Sequence, residues 1–210
     1  MKNQRHALNF VAALALCGAL AACATDTPIA GPVPKVGFQH LAPIRLTVGS
    51  INVINAYKSP LKAPNAEHRF PTSPAQALEA WAQSRLRTSA ATTAKGQSAV
   101  AAFIIDEASV IETKLKKTEG FKGMFTYEPT ERYDATVTAR LTIRNGENGM
   151  SGDVRVTAAR SVEVRENATL SEREQAWFSM TESLMGDFNA QMEKQINGYL
   201  ARWLETPGLN

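Results

Sequence analysis

Three carboxylates interrupt a strongly apolar stretch that begins at Ala99, and they are the residues best placed for acid-base chemistry. They are Asp106, Glu107 and Glu112. Two carboxyl groups that share a site can act as general acid and general base. Adjacent residues of a strand point to opposite faces of a sheet, so Asp106 and Glu107 can share a site only where the strand is bulged. The pattern therefore favours solvated edge charge over a catalytic pair.

The sequence gives little support to a metal site or to nucleophilic catalysis. His40 and His68 follow the N-terminal segment, and both lie in proline-flanked irregular stretches. Neither has a partner at the spacing of a zinc site, and we predict no metal and no cofactor. The sequence also lacks a Gly-x-Ser-x-Gly elbow and a glycine-rich phosphate loop. We expect the protein not to be an enzyme; the alternative is a hydrolase that assembles an unrecognised site, for example from Asp106, His68 and a serine.

The thiol of Cys23 offers covalent chemistry of another kind. It follows a segment with charged Lys2 and Arg5 and an apolar run of 13 residues, 10–22. This is the layout of a secretory signal, and the run is shorter than the roughly 20 residues of a membrane-spanning helix. The four residues Leu20-Ala21-Ala22-Cys23 resemble a bacterial lipobox, which implies that Cys23 is thioether-linked to diacylglycerol and becomes the acylated first residue. An ordinary secreted protein, cut nearby, is the alternative.

Composition and the positions of proline and glycine residues predict four segments. They are a lipoprotein signal peptide (1–22), the lipidated cysteine with a proline-rich tether (23–40), one α+β domain facing the periplasm (41–205) and a tail (206–210). Loss of Lys2 and Arg5 leaves 21 basic residues against 20 acidic ones, so the formal charge falls from +3 to +1. A chain this close to neutral is not expected to bind nucleic acid.

Hydrophobic periodicity predicts four strands and two helices. Alternation of apolar and polar residues indicates strands at about 41–56, 99–115, 133–144 and 154–164, with a bulge near Gly49 in the first. Capping signals at Ser73 and Thr169 begin helices that extend toward Gly96 and Trp203. The order strand, helix, three strands, helix predicts an α+β fold in which an antiparallel sheet carries both helices on one face. The other face is more polar and is expected to meet water or a partner.

The connection between the second and third strands, residues 114–127, mixes lysines with aromatic residues. Apolar rings beside lysines are typical of contact with anionic lipid; a solvated hairpin tip is the alternative. Arg160 falls on the valine face of the last strand, where it could bind an acidic ligand or lie at the rim. The predicted lipid- or partner-binding residues are Lys116, Lys117, Phe121, Lys122, Phe125 and Arg160. If the loop does not bind lipid, the alternative surface is the polar sheet face around Arg140, Arg144 and Arg155.

The lipobox and the order of elements resemble envelope lipoproteins of Gram-negative bacteria. Over residues 41–204 the layout is similar to that of auxiliary lipoproteins of ABC-type lipid transport systems, and of the lipoprotein that helps place lipopolysaccharide. The proline-rich tether departs from the second family. The resemblance implies a non-enzymatic accessory whose partners are the membrane, through the anchor, and an anionic lipid or envelope protein complex. Ala24 after Cys23 implies the periplasmic face of the outer membrane; a purely structural envelope lipoprotein is a further alternative.

Overall fold

The computed structural model describes residues 36–89, 99–115, 129–165 and 167–205. Within these ranges the chain forms six strands and two α-helices, with short 3-10 turns at Glu67–Arg69 and Ala201–Trp203. The elements in chain order are β1 (Ile44–Leu46), β2 (Ser50–Asn55), α1 (Pro74–Arg85), β3 (Leu86–Thr88), β4 (Ala99–Lys114), β5 (Pro129–Asn145), β6 (Ser151–Arg165) and α2 (Leu170–Tyr199).

The main sheet has four strands in the order β2, β4, β5, β6. The pairs β4–β5 and β5–β6 are antiparallel, as long hairpins require, so the predicted α+β class is confirmed. One detail differs from the predicted antiparallel sheet: β2 lies parallel to β4. The physical reason is the connection, because α1 carries the chain back over the sheet between β2 and β4, and such a crossover joins parallel strands.

The predicted first strand, 41–56, is two strands in two sheets. β1 pairs parallel with β3, whereas β2 joins the main sheet. The change of apolar phase near Gly49 is therefore the point where the chain passes between sheets, and not a bulge within one strand. The Gly49 N–H donates to the carbonyl of Ala99 at 2.8 Å and holds this passage against the start of β4.

Local capping begins both helices where the sequence predicts. The Ser73 hydroxyl accepts from the Gln76 N–H while the Gln76 side chain accepts from the Ser73 N–H, and Thr169 and Glu172 form the same reciprocal box. These bonds satisfy N–H groups that have no partner within a helix. α1 ends at Arg85, and the chain enters β3 directly, so the prediction that this helix continues beyond residue 86 is wrong.

Both helices pack on the same face of the main sheet. The ring of Trp81 in α1 lies 5.4 Å from that of Phe103 in β4 and 5.2 Å from that of Phe188 in α2, measured between centroids. All three side chains are fully buried. The helices therefore cover the inner face, and the opposite, outer face of the sheet carries the threonines and arginines of β5 and β6.

Candidate functional site

Three arginines of β5 and β6 lie together on the outer face. Arg140 pairs in register with Arg155, and Arg144 lies four residues further along β5. Side chains alternate between the faces of a sheet, so all three guanidinium groups project to the same side. With Thr142 and Asp153 they line a shallow depression of about 270 Å³. This depression is open to solvent and rich in hydrogen-bond donors.

A β-bulge supplies the acid that holds two of these arginines. The register of β4 against β5 shifts between residues 105 and 107, so Asp106 is the extra residue. Its carboxylate lies 3.4 Å from Nη2 of Arg140 and 3.0 Å from Nη2 of Arg155. The bulge also leaves Glu107 on the outer face, where its Oε1 accepts from the Ser109 hydroxyl at 2.9 Å. Asp106 thus fixes two guanidinium groups, a role that differs from acid-base catalysis.

The depression keeps an excess of positive charge. Asp106 and Asp153 offset two of the three arginines, and within the described residues no ion pair involves Arg144. The Nε of Arg140 is buried and has no acceptor in the described part of the chain. The guanidinium group of Arg144 is therefore the cation available to an anion.

An apolar row lies directly beside the arginines. Arg144 and Arg140 in β5 pair in register with Val100 and Ile104 in β4, and Ile104 pairs in turn with Ile54 in β2. Ile54 and Val100 are 45% and 42% exposed, which is high for large apolar side chains. A cationic row next to an exposed apolar row suits an amphiphile whose anionic group meets the arginines.

Of the sequence-predicted binding residues, Arg160 is the one that the structure describes. It lies on the inner side of β6, at the rim, where its Nη2 contacts Oδ2 of Asp187 at 2.5 Å. It is not part of the arginine depression. The remaining predicted residues lie outside the described residues; they are Cys23, Lys116, Lys117, Phe121, Lys122 and Phe125.

One local pattern in the sequence indicates the bulge at this site. In β4 the buried positions change from odd, at Phe103 and Ile105, to even, at Ala108 and Val110. This change of phase marks the bulge at Asp106. The parallel pairing that places Ile54 beside Ile104 left no such local signal.

A second carboxylate, Glu67, is 3% exposed and lies under the loop that precedes α1. Its Oε1 accepts from the Tyr57 hydroxyl at 2.7 Å and the Ser59 hydroxyl at 2.5 Å, and its Oε2 accepts from the Val110 N–H at 3.1 Å. Burial alone would raise the pKa of this carboxyl, but these hydrogen bonds outweigh burial and hold the pKa below its usual value. Because its oxygens are occupied, Glu67 anchors the loop to β4 and is not available to a ligand.

A polar cluster at the other end of the sheet joins β5 to α2. The Tyr133 hydroxyl donates to Oε2 of Glu131 at 2.8 Å and accepts from Nη1 of Arg173 at 2.9 Å. Burial, and then the Glu131 carboxylate, raise the pKa of Tyr133 to about 12. Arg69 lies 5.8 Å from the ring centroids of Tyr133 and Trp177. These contacts pack α2 against the sheet.

The described ranges also bear on metal binding and on membrane crossing. Among those residues, no group of three or more histidines, cysteines, aspartates or glutamates is placed to hold a metal ion. Neither α1 nor α2 is long and apolar enough to cross a membrane. His68 is exposed in the 3-10 turn, whereas the Asp106 carboxylate contacts Arg140 and Arg155 on the outer face of the sheet.

The sequence matches no known family model and no curated protein. Similar solved structures include a minor lipoprotein from Acinetobacter baumannii, at 14% identity over 77% of this chain and 99% of that chain, with a TM-score of 0.35. They also include a Xanthomonas campestris protein of family DUF330, at 13% identity over 73% and 98% with a TM-score of 0.28. PelC from Paraburkholderia phytofirmans, a dodecamer, is 16% identical over 74% and 90% with a TM-score of 0.20. Likenesses with TM-scores this low support no functional conclusion.

Proposed function

We propose that this protein is a non-enzymatic lipoprotein, anchored through Cys23 to the periplasmic face of the outer membrane, and that its outer sheet face binds anionic phospholipid. The lipobox-like sequence at Cys23 supports the anchor, and Ala24 supports the outer membrane by resemblance to known sorting behaviour. Binding of a membrane lipid fits an accessory in lipid transport or outer-membrane assembly.

The observation that carries the proposal is the pairing of a cationic row with an apolar row. Arg140 and Arg144 lie beside Ile104 and Val100, strand against strand, over the length of four residues. A phosphate group gains charge-assisted hydrogen bonds from guanidinium groups, and acyl carbons gain from covering exposed apolar side chains. An acidic protein segment would meet the arginines but would leave the apolar row uncovered.

Rigidity of the site also favours binding over catalysis. Asp106 holds Arg140 and Arg155 from the inner side of the depression, so their guanidinium groups are positioned before a ligand arrives. Preorganised groups lose less conformational entropy on binding. The three arginines that line the depression supply recognition of charge.

The test is vesicle binding by the mature chain carrying Cys23→Ser, so that the lipid anchor does not contribute. Vesicles of phosphatidylethanolamine with and without phosphatidylglycerol are compared at low and high salt. One cation near an anionic surface contributes about 1 kcal/mol, so Arg144→Gln should weaken binding about fivefold. Salt should weaken binding of the unmodified site in the same direction.

Two controls separate the outer face from other cations. Arg87→Gln removes an exposed arginine of β3, in the other sheet, and should leave binding unchanged. The triple change of Lys116, Lys117 and Lys122 to glutamine tests the lysine and aromatic loop. If that triple variant loses binding while Arg144→Gln keeps it, the lipid site belongs to the loop, and equal binding by every variant contradicts both surfaces. Competition by inorganic phosphate alone would show that the arginines recognise phosphate and not a lipid surface.

A further inference from the structure

The outer edge of β6 is a long strand edge at one side of the main sheet. β6 has 15 residues and lies at the end of the main sheet, with β5 on one side. In the described part of the chain no strand pairs with its other side. An edge strand presents backbone N–H and C=O groups to which another strand can add, and proteins usually keep such edges short or covered. Within the described residues, an edge of this length is open to pairing with another strand.

A symmetric antiparallel contact between two copies of β6 allows few registers. Along one edge, only alternate residues direct their N–H and C=O groups outward. Paired residues must therefore be both odd or both even, so each pair of numbers has an even sum. Each allowed register is centred on one residue, which then lies opposite itself across the two-fold axis.

The register centred on Ala159 is complementary in charge. It places Asp153 opposite Arg165 of the second copy and Arg155 opposite Glu163 of the second copy, and symmetry makes each pair twice. Centring one residue earlier puts Asp153 against Glu163, and centring one residue later puts Arg155 against Arg165. Opposite charges across strands stabilise a sheet, and like charges destabilise it. Within one chain Arg155, Glu163 and Arg165 also contact Asp106, Arg132 and Glu172, respectively. The charges of the edge favour this register over its nearest competitors.

The inner side of the same register is apolar. Val154 lies opposite Val164, and Val156 opposite Val162, so the valine row continues from one copy into the other. Arg160 lies opposite the small residue Ala158. Its charge is already offset within its own chain by Asp187.

The helix above β6 leaves room for an added strand. A groove of about 420 Å³ lies between the edge of β6 and α2. On the helix side its lining includes the short side chains of Ala176, Ser179 and Ser183, and on the strand side Arg160 and Val162. Short side chains let α2 approach its symmetry mate closely.

We propose that two copies of this protein pair through β6, antiparallel and centred on Ala159, into a symmetric dimer with one continuous eight-stranded sheet. All four α-helices then lie on one side, and the two outer faces form a single surface. Arg140 and Arg144 stay outside the contact, whereas Asp153 and Arg155 line the depression and also lie in the contact. The dimer is tested without lipid, so its outcome is separate from that of the lipid-binding proposal. The dimer presents two arginine depressions on one side.

A cysteine at the symmetry axis tests the register directly. Ala159→Cys in the full-length chain places two thiols opposite each other, at a Cα separation of about 4.5 to 5.5 Å in an antiparallel pair, which a disulfide can span. Mild oxidation should then yield a linked dimer on a non-reducing gel. The matched control is Thr157→Cys on the same face of β6. In this register its two copies are displaced by four residues, roughly 13 Å, and should not link.

Charge reversal tests whether the charged residues of the β6 edge set the register of the dimer. In the Ala159→Cys background, the substitution Asp153→Arg places an arginine opposite Arg165 of the second copy at both ends of the symmetric contact. These like charges should weaken association about tenfold. Adding Arg165→Asp restores opposite charges and should restore linkage. Sedimentation of the Cys23→Ser chain gives an independent measurement. We expect a dimer for this chain and for its variant with both Asp153→Arg and Arg165→Asp. We expect a monomer for the variant with Asp153→Arg alone. Equal linkage at positions 157 and 159, no effect of Asp153→Arg, or no rescue would each overturn the proposal.

Discussion

Replacement of Glu67 by glutamine tests whether one buried carboxylate anchors the loop before α1. The change keeps the size of the side chain and removes its charge. The hydroxyl groups of Tyr57 and Ser59 can still donate to the remaining carbonyl oxygen. The amide NH₂, however, takes the place of the oxygen that accepts from the Val110 N–H at 3.1 Å and lies 3.4 Å from Nδ2 of Asn65.

The expected loss follows from these contacts. Hydrogen bonds to a charged acceptor are about twice as strong as neutral ones, and a buried donor without an acceptor costs about 1–3 kcal/mol. Weaker bonds from Tyr57 and Ser59 together with an unsatisfied Val110 N–H give a loss of about 2–4 kcal/mol at neutral pH. This is a large part of the stability of a typical domain, about 5–15 kcal/mol.

The pH dependence has a defined sign. Hydrogen bonding holds the pKa of Glu67 in the folded protein below its ordinary value of 4.5. Between the two values the unfolded chain binds more protons, so stability rises with pH in that window. The contribution of Glu67 is therefore complete above pH 4.5, and it disappears as the pH falls through the folded pKa. Glu67→Gln has no such group, so its stability should converge toward that of the wild type in acid.

Urea denaturation at pH 7 and at steps down to about pH 3 measures both effects. Glu107→Gln is the matched control, because this carboxylate is half-buried on the outer face and accepts one bond from Ser109. Its loss should stay below about 1 kcal/mol. A loss below about 0.5 kcal/mol for Glu67→Gln at pH 7, or a gap to the wild type that does not narrow in acid, would refute the anchoring role.

Two further predictions concern the core and the anchor. Phe188 is fully buried against Trp81 and Phe103, so Phe188→Ala should cost about 3–5 kcal/mol in urea denaturation, and a cost under about 1 kcal/mol would contradict its place in the core. Cys23→Ser should move the protein from the membrane fraction to the soluble fraction with an unchanged melting temperature, whereas retention in the membrane would show that the thiol is not the anchor.

Local signals in the sequence were enough for the longest elements. Alternation of apolar and polar residues predicts β5 and β6, because side chains of a strand alternate between a buried and an exposed face. Ser73 and Thr169 predict the two helix starts, because a capping box is built within four residues of chain. The polar outer face and its arginines also follow from alternation alone.

Only the tertiary structure decided which strands are neighbours. β1 and β3 have three residues each, too few for a period, and their pairing depends on hydrogen bonds between segments about 40 residues apart. The parallel direction of β2 follows from the path of α1 over the sheet, and this pairing places Ile54 beside Ile104. Such neighbours are set by packing between distant segments, which no local pattern encodes.

The environments of Asp106 and Glu67 also depend on contacts between segments that are distant in the sequence. Asp106 lies among arginines because it shares the outer face with them, and the pairing of β4, β5 and β6 brings Arg140 and Arg155 within ion-pair distance. Glu67 is held in the interior by Tyr57 and Ser59 from one segment of the chain and by Val110 from another. The sequence determines that these residues are acids. Whether an acid is solvated, paired or buried depends on donors that only folding brings within 3 Å or so, since hydrogen bonds and ion pairs act over such short distances.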